Sequence, residues 1–166
     1  LTLLQLHNGI TRARGDEPAS ITPRDALRIS EAMLKVRDAG LVRHIGLTGT
    51  GHPEAMREVV RSGLFDTIQV PYNVLNPSAG TPAPVEGETD YGNIMSDCAA
   101  HQMGVFAIRV FAGGALLGQE PGAHTLTTPY FPLGLYRRDA ERARQLRERI
   151  VGRLTPTELA VRFALA

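Results

Sequence analysis

The sequence has one cysteine, Cys98. A single thiol excludes an intrachain disulfide framework and fits a reducing compartment, so a cytoplasmic location is the expectation. An excess of charge of either sign is also missing. Eighteen Lys and Arg against seventeen Asp and Glu leave a formal charge of +1, which offers no whole-chain attraction to nucleic acid or to an anionic membrane. No apolar run approaches the ~20 residues that span a bilayer, and the first residues lack the basic region and small-residue cleavage site of a secretory signal. The histidines His7, His44, His52, His101 and His124 are scattered. Together with one cysteine they form no metal-ligand spacing, so no metal is expected. An initiator Met is absent as well: the apolar run Leu1-Thr2-Leu3-Leu4-Gln5-Leu6 starts at the first residue and ends in His7. A fold does not ordinarily begin inside a buried strand. The chain therefore reads as cut at both ends from a longer one, which leaves open a targeting peptide ahead of it.

What is present is a repeating strand and helix order in 166 residues, enough for one domain with a real core. Leu1 to Leu6 reads as a strand covered on both faces. Asn8 to Pro23 reads as a loop holding Gly9, Gly15 and Pro18. Thr22 then caps a helix with Pro23 at its first position and Asp25 in its first turn. Its apolar face is Ala26, Leu27, Ile29, Met33, Leu34 and Val36, and Gly40 ends it. Leu41 to Leu47 is the second strand, Thr48 to Gly51 a tight glycine-rich turn, His52 to Ser62 a helix, and Phe65 to Val70 the third strand. A long loop over Pro71 to Asp90 follows, either a substrate-side lid or plain surface. Tyr91 to Met103 reads as a helix, Val105 to Phe111 as the fourth strand, and Ala115 to Gly134 as mostly irregular. Leu135 to Val151 is a charged helix with five arginines between Arg137 and Arg147. Thr155 and Glu158 form a capping-box pattern at the start of the last helix.

Short apolar strands alternating with helices predict an α/β fold with a parallel sheet and outer helices. A doubly wound sheet and a (β/α)₈ barrel both meet that description. The dinucleotide fingerprint G-x-G-x-x-G fails after the second strand, where Gly49-Thr50-Gly51 is followed by Glu54. Polar residues instead mark the strand ends, at His7, Thr48, Gln69 and Arg109, where a barrel places its active site. Half of a (β/α)₈ barrel is thus the expected architecture.

Four blocks carry a resemblance. They are Leu3-Leu4-Gln5-Leu6-His7; Gly40-Leu41-Val42-Arg43-His44-Ile45-Gly46-Leu47-Thr48; Phe65-Asp66-Thr67-Ile68-Gln69-Val70-Pro71-Tyr72-Asn73; and Gly104 to Ile108 running into Ala112-Gly113-Gly114-Ala115-Leu116. In this order and spacing the chain resembles the aldo-keto reductases, from the fourth to the seventh strand of their barrel. The resemblance implies an NADP- or NAD-dependent oxidoreductase that interconverts an aldehyde, ketone or aldose with an alcohol, taking a small carbonyl or sugar as substrate. It implies the C-terminal part of a single barrel domain. In that family a tyrosine gives the proton, an aspartate and a lysine tune it, and a histidine orients the carbonyl. Only the histidine falls within these residues, matching His7, and Tyr72 and Tyr91 do not stand at the family's tyrosine position. The isolated 166 residues are accordingly expected to be inactive.

The same resemblance implies the cofactor contacts. Thr48 and Gly49 fall where a Ser-Asn pair holds the nicotinamide carboxamide, and Gly49 has no side chain for that contact. Gln69 matches a glutamine on the same carboxamide, and its amide offers both donor and acceptor. Ile108 replaces a stacking aromatic residue. Arg109 replaces a serine and could reach an anion with a bidentate fork, or form a salt bridge across the barrel mouth. Val110 and Phe111 replace a Pro-Leu pair, and Gly113 allows a close backbone approach to phosphate. Structural alternatives stand beside these: His7 as a strand-end histidine bonded to a loop, and Thr48 to Gly51 as a turn needing positive φ. The departures at Gly49, Ile108 and Arg109 suggest a branch resembling sugar dehydrogenases. A second reading is a regulatory, nucleotide-sensing subunit with the same fold. The arginine-rich helix has mixed signs and no aromatics between its charges, which favours a solvated face over nucleic-acid binding. Oligomeric state has no signal in the sequence.

Overall fold

A computed structural model describes residues 1–15, 19–128 and 133–166. Pro18 of the first loop, and residues 129–132 of the stretch read as irregular, lie outside the described residues. The strands are β1 (Leu3–Leu6), β2 (His44–Thr48), β3 (Thr67–Pro71) and β4 (Gly104–Ile108). The helices are α1 (Pro23–Asp38), α2 (Pro53–Arg61), α3 (Ile94–Ala100), α4 (Ala123–Thr127), α5 (Leu133–Ile150) and α6 (Pro156–Leu165), with a 3₁₀ segment at Ala112–Leu117. The strands form one sheet in the order β1-β2-β3-β4, and β2 runs parallel to both β1 and β3. Sequential order without reversal is what a barrel segment requires, whereas a doubly wound sheet reverses its order at a switch point.

The residues fall into two compact units, Leu1–Val70 with Ser78–Phe106, and Pro71–Pro77 with Ala107–Ala166. In the first, alternate residues of the strands are apolar and buried: Leu6, Ile45, Leu47, Ile68 and Val70 expose 7% or less. Met56, Val59 and Val60 of α2 and Ala26 and Met33 of α1 are equally buried. The face that α1 buries is Pro23, Ala26, Ser30 and Met33. Ile29, expected on it, lies outside that stripe and is 36% exposed. The cap at Thr22 forms as expected: its hydroxyl accepts from the Asp25 N–H, and the Asp25 carboxylate accepts from the Thr22 N–H. The Arg14 guanidinium, with Thr22, holds the Asp25 carboxyl far below the usual carboxylate range.

Several elements are shorter than the sequence predicts, and two of them, α3 and β4, are cut for one physical reason. The helix read over Tyr91 to Met103 contracts to Ile94–Ala100 because Gly92, Asn93 and Gln102 take positive φ at its two ends. The strand read over Val105 to Phe111 stops at Ile108 because Arg109 and Ala112 do the same. Left-handed backbone breaks both the helix ladder and the strand ladder. Asp97 of α3 accepts from Arg57 at 2.6 Å and from Arg61 at 3.2 Å, tying α3 to α2.

Cys98 is fully buried on α3. Burial, with the Asp97 charge beside it, pushes its thiol up to about 11. The folded chain holds this proton more tightly than the unfolded one. Its stabilising contribution is therefore complete below about pH 9 and is lost as the pH climbs towards about 11. The expected result is that a chromogenic disulfide reagent at pH 8 labels Cys98 only after denaturant is added. Fast stoichiometric labelling of the native protein would contradict this burial.

The second unit gathers Leu75, Ala112, Ala115, Leu116, Tyr136, Ala143 and Ala160 into a core. The capping box at Thr155 and Glu158 starts α6 as expected. Within the stretch read as irregular, α4 and the 3₁₀ segment are ordered turns. On α5, Arg144 pairs with Glu141 and Glu148 on an exposed face, as the mixed charges predict. Arg142 and Arg147 depart from that pattern by donating to carbonyls, Arg142 to Leu75 at 2.7 Å and Arg147 to Ala115 at 3.1 Å. Among the described residues, no helix is long and apolar enough to cross a membrane.

Candidate functional site

Register decides which side chains meet. Leu6 stands opposite Leu47, and Leu47 opposite Ile68; all three are buried on the apolar face of the sheet. One residue further on, side chains point to the other face. There Thr48 stands opposite Gln69, and His7 directly follows Leu6, the last residue of β1. Two of the sequence-predicted site residues thus share one cross-strand row, and a third, His7, stands just past the C-terminal end of the neighbouring parallel strand.

The row is only partly bonded. Gln5, one level below on the same face, donates from Nε2 to the Thr48 hydroxyl at 3.0 Å. With its oxygen accepting there, the Thr48 hydroxyl keeps its own proton to donate. Thr48 is 6% exposed, Gln69 half-buried and His7 exposed. Neither the Gln69 carboxamide nor the His7 imidazole engages a hydrogen-bond partner among the described residues, so no loop contact accounts for the strand-end histidine. The fourth strand adds an unexpected neighbour. The Gly104 N–H donates to the Asp66 carbonyl at 2.9 Å. In a parallel ladder this sets Gly104 beside Thr67 and, two residues on, Phe106 beside Gln69. Phe106 is 49% exposed, an aromatic ring that nothing in the sequence pattern marks for a role.

Gly49 is explained by close approach, not by φ. Among the glycines of this turn only Gly51 has positive φ, at +117°. The Gly49 N–H donates to the Gln69 carbonyl at 2.6 Å. A β-carbon on Gly49 would lie 2.9 Å from that carbonyl oxygen and 2.9 Å from Ile68 Cδ1. The asparagine that the resemblance led one to expect has no room here, and the turn brings β2 closer to β3 instead. The glycine in turn holds the Gln69 backbone in place.

The other four predicted residues, Arg109, Val110, Phe111 and Gly113, lie together in the second unit, just past β4. Arg109 is left-handed at φ +56° and Ala112 at φ +50°. Non-glycine residues there cost of order 1–3 kcal/mol each and gather at functional loops. The Arg109 carbonyl accepts from the Ala112 N–H at 2.8 Å and from Asn73 Nδ2 at 3.1 Å, which holds the bend. Asn73 is itself buried, its Oδ1 accepting from the N–H groups of Leu75 and Asn76. Its place at the end of Gln69-Val70-Pro71-Tyr72-Asn73 was visible in the sequence, but its bracing of the Arg109 bend was not. Val110 and Phe111 pack their side chains against the second core. Both side chains are partly buried there. Gly113, at φ +68°, has an N–H that meets no acceptor among the described residues.

Tyr72 stacks at 5.0 Å on Phe163 and Tyr91 is 9% exposed; both rings are packing residues. Among the described residues no cluster of His, Cys, Asp and Glu could hold a metal. No curated protein matches the chain. A family model described as the Aldo/keto reductase family matches residues 3–166. The chain belongs to the aldo/keto reductase family, whose members are in general NAD(P)-dependent oxidoreductases.

Proposed function

We propose that the group of His7, Thr48 and Gln69 serves carbonyl reduction and its reverse, alcohol or aldose oxidation, with NADP or NAD as cofactor. The observation that carries this is the pair of polar side chains, Gln69 and His7, left without partners at the ends of parallel strands beside a hydroxyl that still has a proton to give. Buried and half-buried polar groups normally find partners. Half-buried Gln69 is open in that sense and fits a ligand that brings its own amide, while exposed His7 is free to meet a carbonyl.

The residues suit a nicotinamide carboxamide. Gln69 offers it a donor and an acceptor, and Thr48 donates while Gln5 fixes its orientation. When bound, the reduced nicotinamide supplies the hydride. The part of His7 is electrostatic. Its imidazole N–H donates to the substrate carbonyl oxygen and stabilises the negative charge that grows there. The proton donor for that oxygen is not assigned to any residue from 1 to 166. In this reading the chain is the C-terminal part of one barrel domain, in the cytoplasm. The glycine at 49 and the isoleucine at 108 support a branch acting on sugars.

The test is an assay of the protein expressed from its whole gene, with aldehydes, ketones and aldoses, against NADPH and NADH. Substrate-dependent loss of reduced-nicotinamide absorbance is expected. Tight cofactor binding without turnover on any substrate would favour the regulatory-subunit reading, and absence of binding would overturn both.

A further inference from the structure

The chain has four asparagines, Asn8, Asn73, Asn76 and Asn93, and only Asn8 is followed by glycine. An asparagine loses its amide when the next backbone nitrogen attacks its side-chain carbonyl carbon. The attack needs a free N–H, little crowding at the next residue and a side chain able to turn. The structure withholds these from three of the four. Asn73 is buried, with its Oδ1 and Nδ2 both bonded. Asn76 precedes Pro77, which has no N–H. The Ile94 N–H after Asn93 is taken by the Tyr91 carbonyl at 3.3 Å, and Ile94 is β-branched and fully buried. Asn8 meets all three conditions. β1 ends at Leu6, and the Gly9 N–H reaches no acceptor among the described residues. Gly9 has no β-carbon to block ring closure. Both residues are half-buried, within reach of water. The Asn8 amide is held by one exposed bond, from Nδ2 to the Ala19 carbonyl at 2.8 Å.

We propose that Asn8 is a site of spontaneous covalent modification, and that its conversion to isoaspartate ages the enzyme by displacing His7. The effect on turnover rests on the role proposed for His7; the modification itself does not. The Gly9 nitrogen bonds to the Asn8 side-chain carbonyl carbon and closes a five-membered imide. The proton of the Gly9 N–H passes to the side-chain nitrogen, the bond from carbon to that nitrogen breaks, and ammonia leaves. Water then opens the ring, its hydroxyl going to one carbonyl carbon and its hydrogen to the nitrogen. Opening at one carbonyl leaves aspartate, and opening at the other leaves isoaspartate. Either product is a carboxylate at neutral pH, and it repels the Ala19 carbonyl where Asn8 donated to it. Isoaspartate also lengthens the main chain by one methylene between His7 and Ile10. Ile10 cannot absorb that length. It is fully buried, donates to the Thr50 carbonyl at 2.9 Å and accepts from the His52 N–H at 2.8 Å. The shift therefore falls on His7, which no described residue holds. A misplacement of about 1 Å at a reacting group can cost about 10²-fold in rate.

The experiment incubates the whole protein at mildly alkaline pH, beside Asn8→Gln and Asn8→Asp, and follows peptide masses and kinetics over time. The peptide holding Asn8 should gain the mass that separates an acid from an amide. It should also accept a methyl group from an isoaspartate-directed methyltransferase. Asn73, Asn76 and Asn93 should stay intact. Turnover should fall in step with the isoaspartate fraction, the modified molecules keeping about a hundredth of the parent kcat. KM for the cofactor should hold, which a general loss of structure would not allow. Asn8→Gln should keep both its mass and its rate, because its longer side chain closes a six-membered ring more slowly. Fresh Asn8→Asp carries the charge without the added methylene and should lose less than the isoaspartate form. An Asn8 peptide that keeps its mass in the folded protein, yet converts once denatured, would show that the loop protects it and would overturn the proposal. Conversion with full activity would overturn the link to His7. Conversion in a protein that never turns over any substrate would uphold the modification and sink the reading of His7.

Discussion

Replacing Gly51 with alanine is expected to destabilise the fold by about 3 kcal/mol or more, a large share of the whole stability of a marginal domain. Two effects add. At φ +117° the backbone is one that a side chain rarely tolerates. A β-carbon would also overlap the Ile10 carbonyl oxygen and lie 2.6 Å from the Ile10 nitrogen. These are backbone atoms, and they cannot swing aside. Ile10 is fully buried, donates to the Thr50 carbonyl at 2.9 Å and accepts from His52 at 2.8 Å. Moving it would break the link between the first loop and the start of α2. Gly40 is the control: it too has positive φ, at +73°, but nothing lies within 4 Å of its β-position. Gly40→Ala should cost only about 1 kcal/mol. Urea unfolding of the two variants separates strain from overlap. A Gly51→Ala midpoint no lower than that of Gly40→Ala would contradict the close approach of Ile10.

Replacing His7 with alanine is expected to lower turnover by about 10²–10³-fold, or about 3–4 kcal/mol of transition-state stabilisation. The imidazole is exposed at the end of β1 and bonded to no described residue, so its loss should leave the fold and the cofactor affinity nearly unchanged. The effect should lie in kcat and in kcat/KM together, the pattern of an interaction made in the transition state. His7→Gln, which keeps an N–H donor in a different place, should recover part of the rate. Steady-state kinetics and an NADPH titration on the same samples provide the check. A His7→Ala enzyme with unchanged kcat would remove the histidine from the chemistry.

The strand and helix order is legible in the sequence because most elements have a clear apolar period and several have a cap. Thr22 with Asp25 and Thr155 with Glu158 announce their helices and form the bonds expected of them. The group of His7, Thr48 and Gln69 was legible as three separate strand ends. Its coherence depends on register, which no single strand encodes. Left-handed turns were the least legible feature. Gln102, Arg109 and Ala112 carry no clear signal that they take positive φ, and Asn93 carries only the weak one that asparagine gives. Ile10 was equally hidden, because a loop residue becomes core only when two other segments close over it. Phe106 reads as one more apolar strand residue, yet half of it is exposed. The arginines of α5 look alike in sequence, and only their carbonyl partners separate Arg142 and Arg147 from Arg144.

Cofactor binding by the parent and by Gln69→Ala is the decisive comparison. Gln69 is half-buried, its side chain holds no other described residue, and its carbonyl bond to Gly49 belongs to the backbone. Truncation should therefore leave the sheet intact. The predicted result is saturable NADPH or NADH binding by the parent, weakened about tenfold in Gln69→Ala by the loss of one or two hydrogen bonds to the carboxamide. ADP-ribose, which lacks the nicotinamide, should bind both proteins equally. Equal NADPH affinity in the two proteins would contradict the assignment of this row to the nicotinamide.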